Sequence, residues 1–240
     1  MEIHKPKAAR SWREFAVEIG TIVIGVLIAL AAEQIVEAIH NRHVAEEARD
    51  NVRAEARLDL GFIAGRLAAE SCVEQRLEGL QSLLAETGDG APKLRIGWVG
   101  HPPTTPMFSA RWTSATASGR TSLFSAAEQD RYGGLYGLFT RFDEHQLREQ
   151  AAWTQLRMLE TWRGPLGPAA RLEFAKALQD ARYEAWDLRY GGSYALTQAK
   201  ALGLKPATDG TDESHPPICL PISMPRAEVL RQIKAPFGEP

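Results

Sequence analysis

The chain has no excess of positive charge: 28 lysines and arginines stand against 30 aspartates and glutamates in 240 residues, a net charge of -2. Nucleic-acid binders usually carry a basic field, so nucleic acid is not an expected partner. There is no repeat of fixed period, which excludes solenoids and propellers. No segment is low in complexity, the Pro-rich stretch from Pro206 to Pro240 coming closest. A nucleophile elbow, a P-loop and a dinucleotide fingerprint are all missing, and no histidine falls in an H-E-x-x-H frame. An enzyme can draw its groups from distant segments, so these absences lower the expectation of catalysis without removing it. No catalytic residue and no cofactor is assigned from the sequence.

Long hydrophobic runs are also scarce, and the single exception governs topology. From Ile19 to Ala32 the only hydroxyl is Thr21, which can bond back to the preceding turn. Extended back to Phe15, the run is long enough as a helix to cover roughly 27 Å of a ~30 Å hydrocarbon core. Lys5, Lys7, Arg10 and Arg13 precede it, with Trp12 at the position of an interfacial aromatic, while Arg42 and Arg49 follow it among the carboxylates of residues 33–52. By the positive-inside rule the N-terminus lies in the cytoplasm and the remainder outside. Ser11 and Glu14 form a capping box, so the helix starts before the membrane.

Two rival readings exist. A basic start, the apolar Ile19 to Leu30 and the small residues Ala29-Leu30-Ala31 fit a cleavable signal peptide, and a buried helix of a soluble protein can be equally apolar. The helical period continues through Glu33, Ile35, Val36, Glu37 and Ile39, whereas cleavage needs extended chain; the expectation is therefore an uncleaved anchor. Thr21, Gly25 and Ala29 recur every four residues, the small-xxx-small spacing through which membrane helices associate.

The segments "REFAVEIGTIVIGVLIALAAEQIVE", "ARWTSATASGR" and "RYGGLYGLF" resemble a group of uncharacterised bacterial proteins with an N-terminal membrane helix and a helical extracytoplasmic region. The resemblance implies topology and an inner-membrane location of proteobacterial type. It brings no catalytic residues.

Beyond the span, apolar residues keep helical spacing. Val52, Ala56, Leu60, Ile63 and Leu67 form one stripe that Val73, Leu77, Leu80 and Leu84 resume, predicting a rod from Ser11 to Glu86 with a bend near Asn41 or Gly61. Residues 88–108 form a Gly- and Pro-rich connection with at most a short strand at Leu94 to Val99. A short helix follows Ser109. A capping box at Ser125 and Glu128 opens another, lined by Tyr132, Leu135, Phe139, Phe142, Ala152, Leu156 and Leu159. Pro168 suits the first turn of a last long helix containing Phe174, Leu178, Ala181, Ala185 and Leu188, and Gly191-Gly192 is where a kink is expected. The expected fold is all-α: a cytoplasmic tail (1–14), a transmembrane helix (15–32), an antiparallel helical bundle (33–205) in the periplasm, and a Pro-rich tail (206–240) packed on it.

Candidate sites are few. Glu33, Glu37, His40, His43 and Glu47 share much of one helix face, and Glu37 with His40 has the E-x-x-H spacing of carboxylate-bridged metal bundles. No second E-x-x-H exists, so a solvated polar collar outside the membrane accounts for these residues and no metal is expected. The hydroxyls from Ser109 to Ser122 are expected to bond back to helix backbone. His101 and His215, each before two prolines, read as exposed turns, and the aromatics from Tyr132 to Trp186 as core. Cys72 and Cys219 are the only two cysteines, and an even pair outside the cytoplasm reads as a disulfide that ties the tail to the first helix.

The function expected from these readings is that of a single-pass membrane protein with a helical extracytoplasmic scaffold, sensor or partner-binding module. Its partners are the lipid bilayer and either a second copy or another membrane or periplasmic protein. The alternative is an anchored or secreted enzyme or metal protein, whose mark is a pocket with converging ionisable groups.

Overall fold

The computed structural model describes residues 11–87, 96–208 and 216–232. The fold is all-α, with six helices and, among the described residues, no strand. Ile96 to Val99 lie in irregular chain; Leu94, and with it part of the expected strand, lies outside the described residues.

Helix α1 spans Trp12–Ala68, and Ser11 caps it by accepting the N–H of Glu14 at 3.3 Å. Its 57 residues correspond to roughly 85 Å of helix. The expected rod to Glu86 is broken, but at Ala69 rather than Asn41 or Gly61. The Ala69 N–H is shared between the carbonyls of Gly65 and Arg66, the tightened turn of a helix end, and α2 (Glu70–Thr87) starts at once. Gly61 lies inside the unbroken α1. A Cβ there would lie 2.6 Å from the carbonyl oxygen of Ala207, so glycine allows the chain after the last long helix to lie against α1, where the Ala207 N–H donates to Arg57 O.

Helix α3 (Ala110–Ala117) is short; α4 (Ala126–Leu156) and α5 (Pro168–Ala201) are long, and α6 (Arg226–Gln232) is a last brief element. The Ser125–Glu128 capping box opens α4, and Pro168 occupies the first turn of α5. The latter runs through Gly191 and Gly192 as one unbroken helix.

Contacts fix the helix directions. Arg131 meets Ala201, and His145 meets Glu184, so α5 runs antiparallel to α4. Gln81 meets Arg182 and Glu74 meets Arg189, so it is antiparallel to α2 as well. In contrast, α1 and α4 run the same way: Arg49 meets Glu128, Arg53 meets Tyr132, and Arg66 meets Glu149. A parallel pair needs a return connection, and residues 98–112 descend the bundle between α2 and α4, from Arg76 at the level of Trp98 to Glu55 at the level of Arg111.

The core falls into two apolar clusters. One holds Val52, Leu60, Ile63, Tyr132, Phe139, Phe142 and Leu188, and the other Val73, Leu80, Trp153, Leu156, Phe174 and Ala181. At the level between them sit buried polar groups: Arg66 and Glu149, then His145 and Glu184. A polar layer of this kind is stable only when its members satisfy one another.

Candidate functional site

Along α1 the environment changes once. From Phe15 to Ile39 every large apolar side chain is exposed, and the first buried residue is Ala45. The helix is long and apolar enough to cross a membrane, and none of its most apolar window is buried in the fold. In water such a face costs about 25 cal/mol for each Å² left uncovered, so the physics favours an apolar medium around it. Thr21 Oγ1 donates to Val17 O at 2.8 Å, so its hydroxyl is satisfied within the helix. Thr21, Gly25 and Ala29 are all exposed, with nothing within 4 Å of a Cβ placed on Gly25. Lys5, Lys7 and Arg10 lie outside the described residues.

Glu33, Glu37, His40, His43 and Glu47 occupy exposed positions on α1, before or at the point where the bundle begins. No facing helix brings a second set of ligands to them among the described residues. The hydroxyls near α3 bond back to backbone: Thr116 to Trp112 O, Ser118 to Ser114 O and Ser122 to Gly119 O. His101 Nδ1 lies 2.8 Å from Pro102 O, and His215 is outside the described residues. Cys72 and Cys219 form a disulfide across 147 positions of sequence. Beside it Arg76, buried, donates to the carbonyls of Trp98, Val99, Ile218 and Leu220. Burial lowers its guanidinium to about 10. The tail from residue 216 is therefore held on α2 by one covalent and two charge-assisted hydrogen bonds.

Side chains that the sequence did not single out fasten the descending connection. Gln146 pairs with both backbone groups of Thr105, and Asp143 accepts the N–H of Met107. Asp59 accepts the N–H of Phe108 at 2.9 Å. Glu55 accepts those of Arg111 and Trp112 at 2.8 and 3.1 Å. Because the Ser109 side chain makes no cap bond, Glu55 serves from α1 as the N-terminal cap of α3. Its other donor is the buried hydroxyl of Tyr136 at 2.9 Å, and burial together with that carboxylate pushes the phenol well above its ordinary range. Asp59 is fully buried; desolvation raises its carboxyl to about 7, against the Phe108 N–H and with the help of Glu55 and Asp143.

On the α4–α5 interface His145 and two carboxylates of α5, Glu184 and Asp187, converge. His145 Nδ1 is 2.6 Å from Glu184 Oε2 and 3.5 Å from Asp187 Oδ2. Arg148 Nε donates to the other oxygen of Glu184 at 3.0 Å. The three side chains are about nine-tenths buried, yet Asp187 Oδ2 accepts no hydrogen bond among the described residues. Glu184 and Asp187 are three apart on one helix and therefore share a face. That spacing was readable; the histidine opposite it depends on the register of α4 against α5, which is not.

The aromatics divide in a way the sequence did not anticipate. Tyr132, Tyr136 and Trp153 are buried as expected, but Tyr183 and Trp186 are exposed, as are Tyr190 and Tyr194 beyond them. They form a ladder along α5, with Trp186 stacked on Tyr190 at 5.9 Å between ring centroids. Helical spacing alone marks a stripe as apolar, not as covered. No protein family, curated protein or solved structure matches the chain, so its function has to be argued from this geometry.

Proposed function

We propose that the protein is a single-pass inner-membrane protein of bacterial type whose helical bundle stands outside the cytoplasm and serves as a partner-binding module. The observation that carries the reading is the single change of environment along α1: apolar and uncovered up to Ile39, packed in the bundle from Ala45. The basic residues before the span favour a cytoplasmic N-terminus. The Cys72–Cys219 disulfide favours an oxidising compartment for the bundle. The exposed aromatic ladder on α5 supports binding, since large uncovered apolar faces mark interaction sites. Self-association through Thr21, Gly25 and Ala29 belongs to the same proposal.

The test is extraction of membranes at alkaline pH followed by N-terminal sequencing of the mature chain. Retention in the pellet with Trp12 still present supports the anchor. A soluble chain that starts at Ala32 refutes it in favour of a cleaved signal peptide.

A further inference from the structure

Three features stand out beyond the membrane anchor: the exposed ladder of α5, the buried Asp59, and the cluster at the α4–α5 interface. What covers the ladder is not indicated by anything around it. Asp59 is accounted for by the chain it holds. In the cluster three ligand-type side chains converge around an oxygen without a hydrogen bond, Asp187 Oδ2, whereas Asp59 Oδ2, also without one, belongs to no such group among the described residues.

A salt bridge explains only part of the cluster. The ring nitrogen of His145 has room for one proton along one direction, and Glu184 Oε2 takes it at 2.6 Å. Asp187 Oδ2, 3.5 Å from the same nitrogen, is left inside the interface with no hydrogen bond among the described residues. A carboxylate oxygen buried in that condition, without a hydrogen bond, is destabilising. Arg148 does not relieve it, because its guanidinium is directed at Glu184 Oε1.

We propose that His145, Glu184 and Asp187 bind a divalent transition-metal ion of the zinc class. His145 Nδ1, Glu184 Oε2 and Asp187 Oδ2 are three ligands, and a fourth position is left to water or to a ligand side chain of a partner. The ligand atoms all lie within 4.8 Å of one another. Metal-ligand distances of about 2.0–2.2 Å in a tetrahedral site place ligand atoms roughly 3.4 Å apart. The separation of His145 from Asp187 already has that value; the 2.6 Å contact of His145 with Glu184 must open, and the two carboxylate oxygens must come to the same spacing. Imidazole with two carboxylates suits zinc and its neighbours; calcium and magnesium prefer all-oxygen sets. On binding, the proton between His145 and Glu184 leaves to solvent, and both carboxylates then share the new charge. Arg148 holds the second oxygen of Glu184 in the manner of an outer-shell partner.

The ligands come from two long helices, so the ion would lock α4 to α5 next to the aromatic ladder. Asp187 and Glu184 alternate with Trp186 and Tyr183 along α5, and a bound ion would fix the base of that exposed face. The inference does not depend on the membrane anchor: a cleaved, soluble chain would bind the same ion.

The experiment is zinc titration of the full chain in detergent, followed by calorimetry and by melting temperature. One ion per chain is expected, with a raised melting temperature. Asp187→Asn keeps the shape of the side chain and should weaken binding at least as much as the roughly 10–100-fold lost on removing a supporting partner. The double variant His40→Gln and His43→Gln should bind as the wild type does. Stoichiometric binding lost in the His40/His43 variant, binding unchanged in Asp187→Asn, or no binding at millimolar zinc would overturn the proposal. X-ray absorption on the zinc-loaded wild type does not rely on any variant folding: one imidazole with oxygen ligands supports the site, whereas two imidazoles or none contradict it.

Discussion

Arg66 and Glu149 form a two-point ion pair between α1 and α4, Nη2 to Oε1 at 2.6 Å and Nε to Oε2 at 3.3 Å, with each side chain only 1% exposed. Arg66 also donates to Glu70 at 2.8 Å, so one guanidinium joins α1, α2 and α4 at the level where the two apolar clusters meet. A buried pair of this kind costs desolvation on both sides, and what is large is the penalty of breaking it. Glu149→Ala or Arg66→Ala should therefore destabilise the bundle by about 3–5 kcal/mol, while Arg66→Met with Glu149→Leu should cost far less. Denaturant unfolding of the three variants checks this. Additive losses in the double variant would contradict it.

Asp59 gives the bundle a pH dependence of definite sign. Its carboxyl sits at about 7 when folded, against 3.8 in its ordinary range, because it is buried. The folded state thus holds a proton that the unfolded chain releases, and stability falls as pH rises between those two values. The size is on the order of 4 kcal/mol at full shift. Asp59→Asn keeps an oxygen for the Phe108 N–H and removes the titration. It should be more stable than wild type at pH 8 and approach it near pH 4. Parallel stability curves for the two proteins across that range would contradict a role for Asp59 in the pH dependence.

Gly191 and Gly192 lie side by side in α5 and should respond in opposite directions. A Cβ on Gly192 would meet Ile63 at 3.0 Å and Phe142 at 3.1 Å, while one on Gly191 meets nothing within 4 Å. Gly192→Ala should cost about 1–3 kcal/mol through overpacking, and Gly191→Ala should gain up to about 1 kcal/mol of helix propensity. Thermal melts of the two variants are sufficient to tell.

The disulfide closes a ring of 147 positions between α2 and the tail. By loop entropy its loss should cost on the order of 2–5 kcal/mol, and Cys72→Ser with Cys219→Ser should make residues 216–232 the first site of limited proteolysis. Mass spectrometry after blocking of thiols should recover the linked peptides; both cysteines fully alkylated without reduction would contradict the bridge.

Local signals were legible in the sequence and long-range ones were not. Ser125, Glu128 and Pro168 mark helix starts because capping is decided within four residues, and the stripe from Val52 to Leu67 marks a buried face because burial follows the helical period. The direction of α4 relative to α1 is not local: it depends on whether the connection after Thr87 turns at once or runs back down the bundle. Nothing in the local sequence singles out Glu55 and Asp59, and only the return of residues 105–112 across α1 makes them buried acceptors. His145 was invisible for the same reason. The ladder of Tyr183, Trp186, Tyr190 and Tyr194 misleads in the other direction, since period alone does not say whether another element lies on top.

The central claim is that α1 passes from membrane to bundle without a break and carries the bundle out of the cytoplasm. Fusion of a reporter after Gln232, in one version an enzyme active only outside the cytoplasm and in another a protein fluorescent only inside it, measures this directly in intact bacterial cells. The account predicts activity from the first fusion, held in the membrane fraction, and darkness from the second. Fluorescence from the second with an inactive first would place the bundle in the cytoplasm and contradict it.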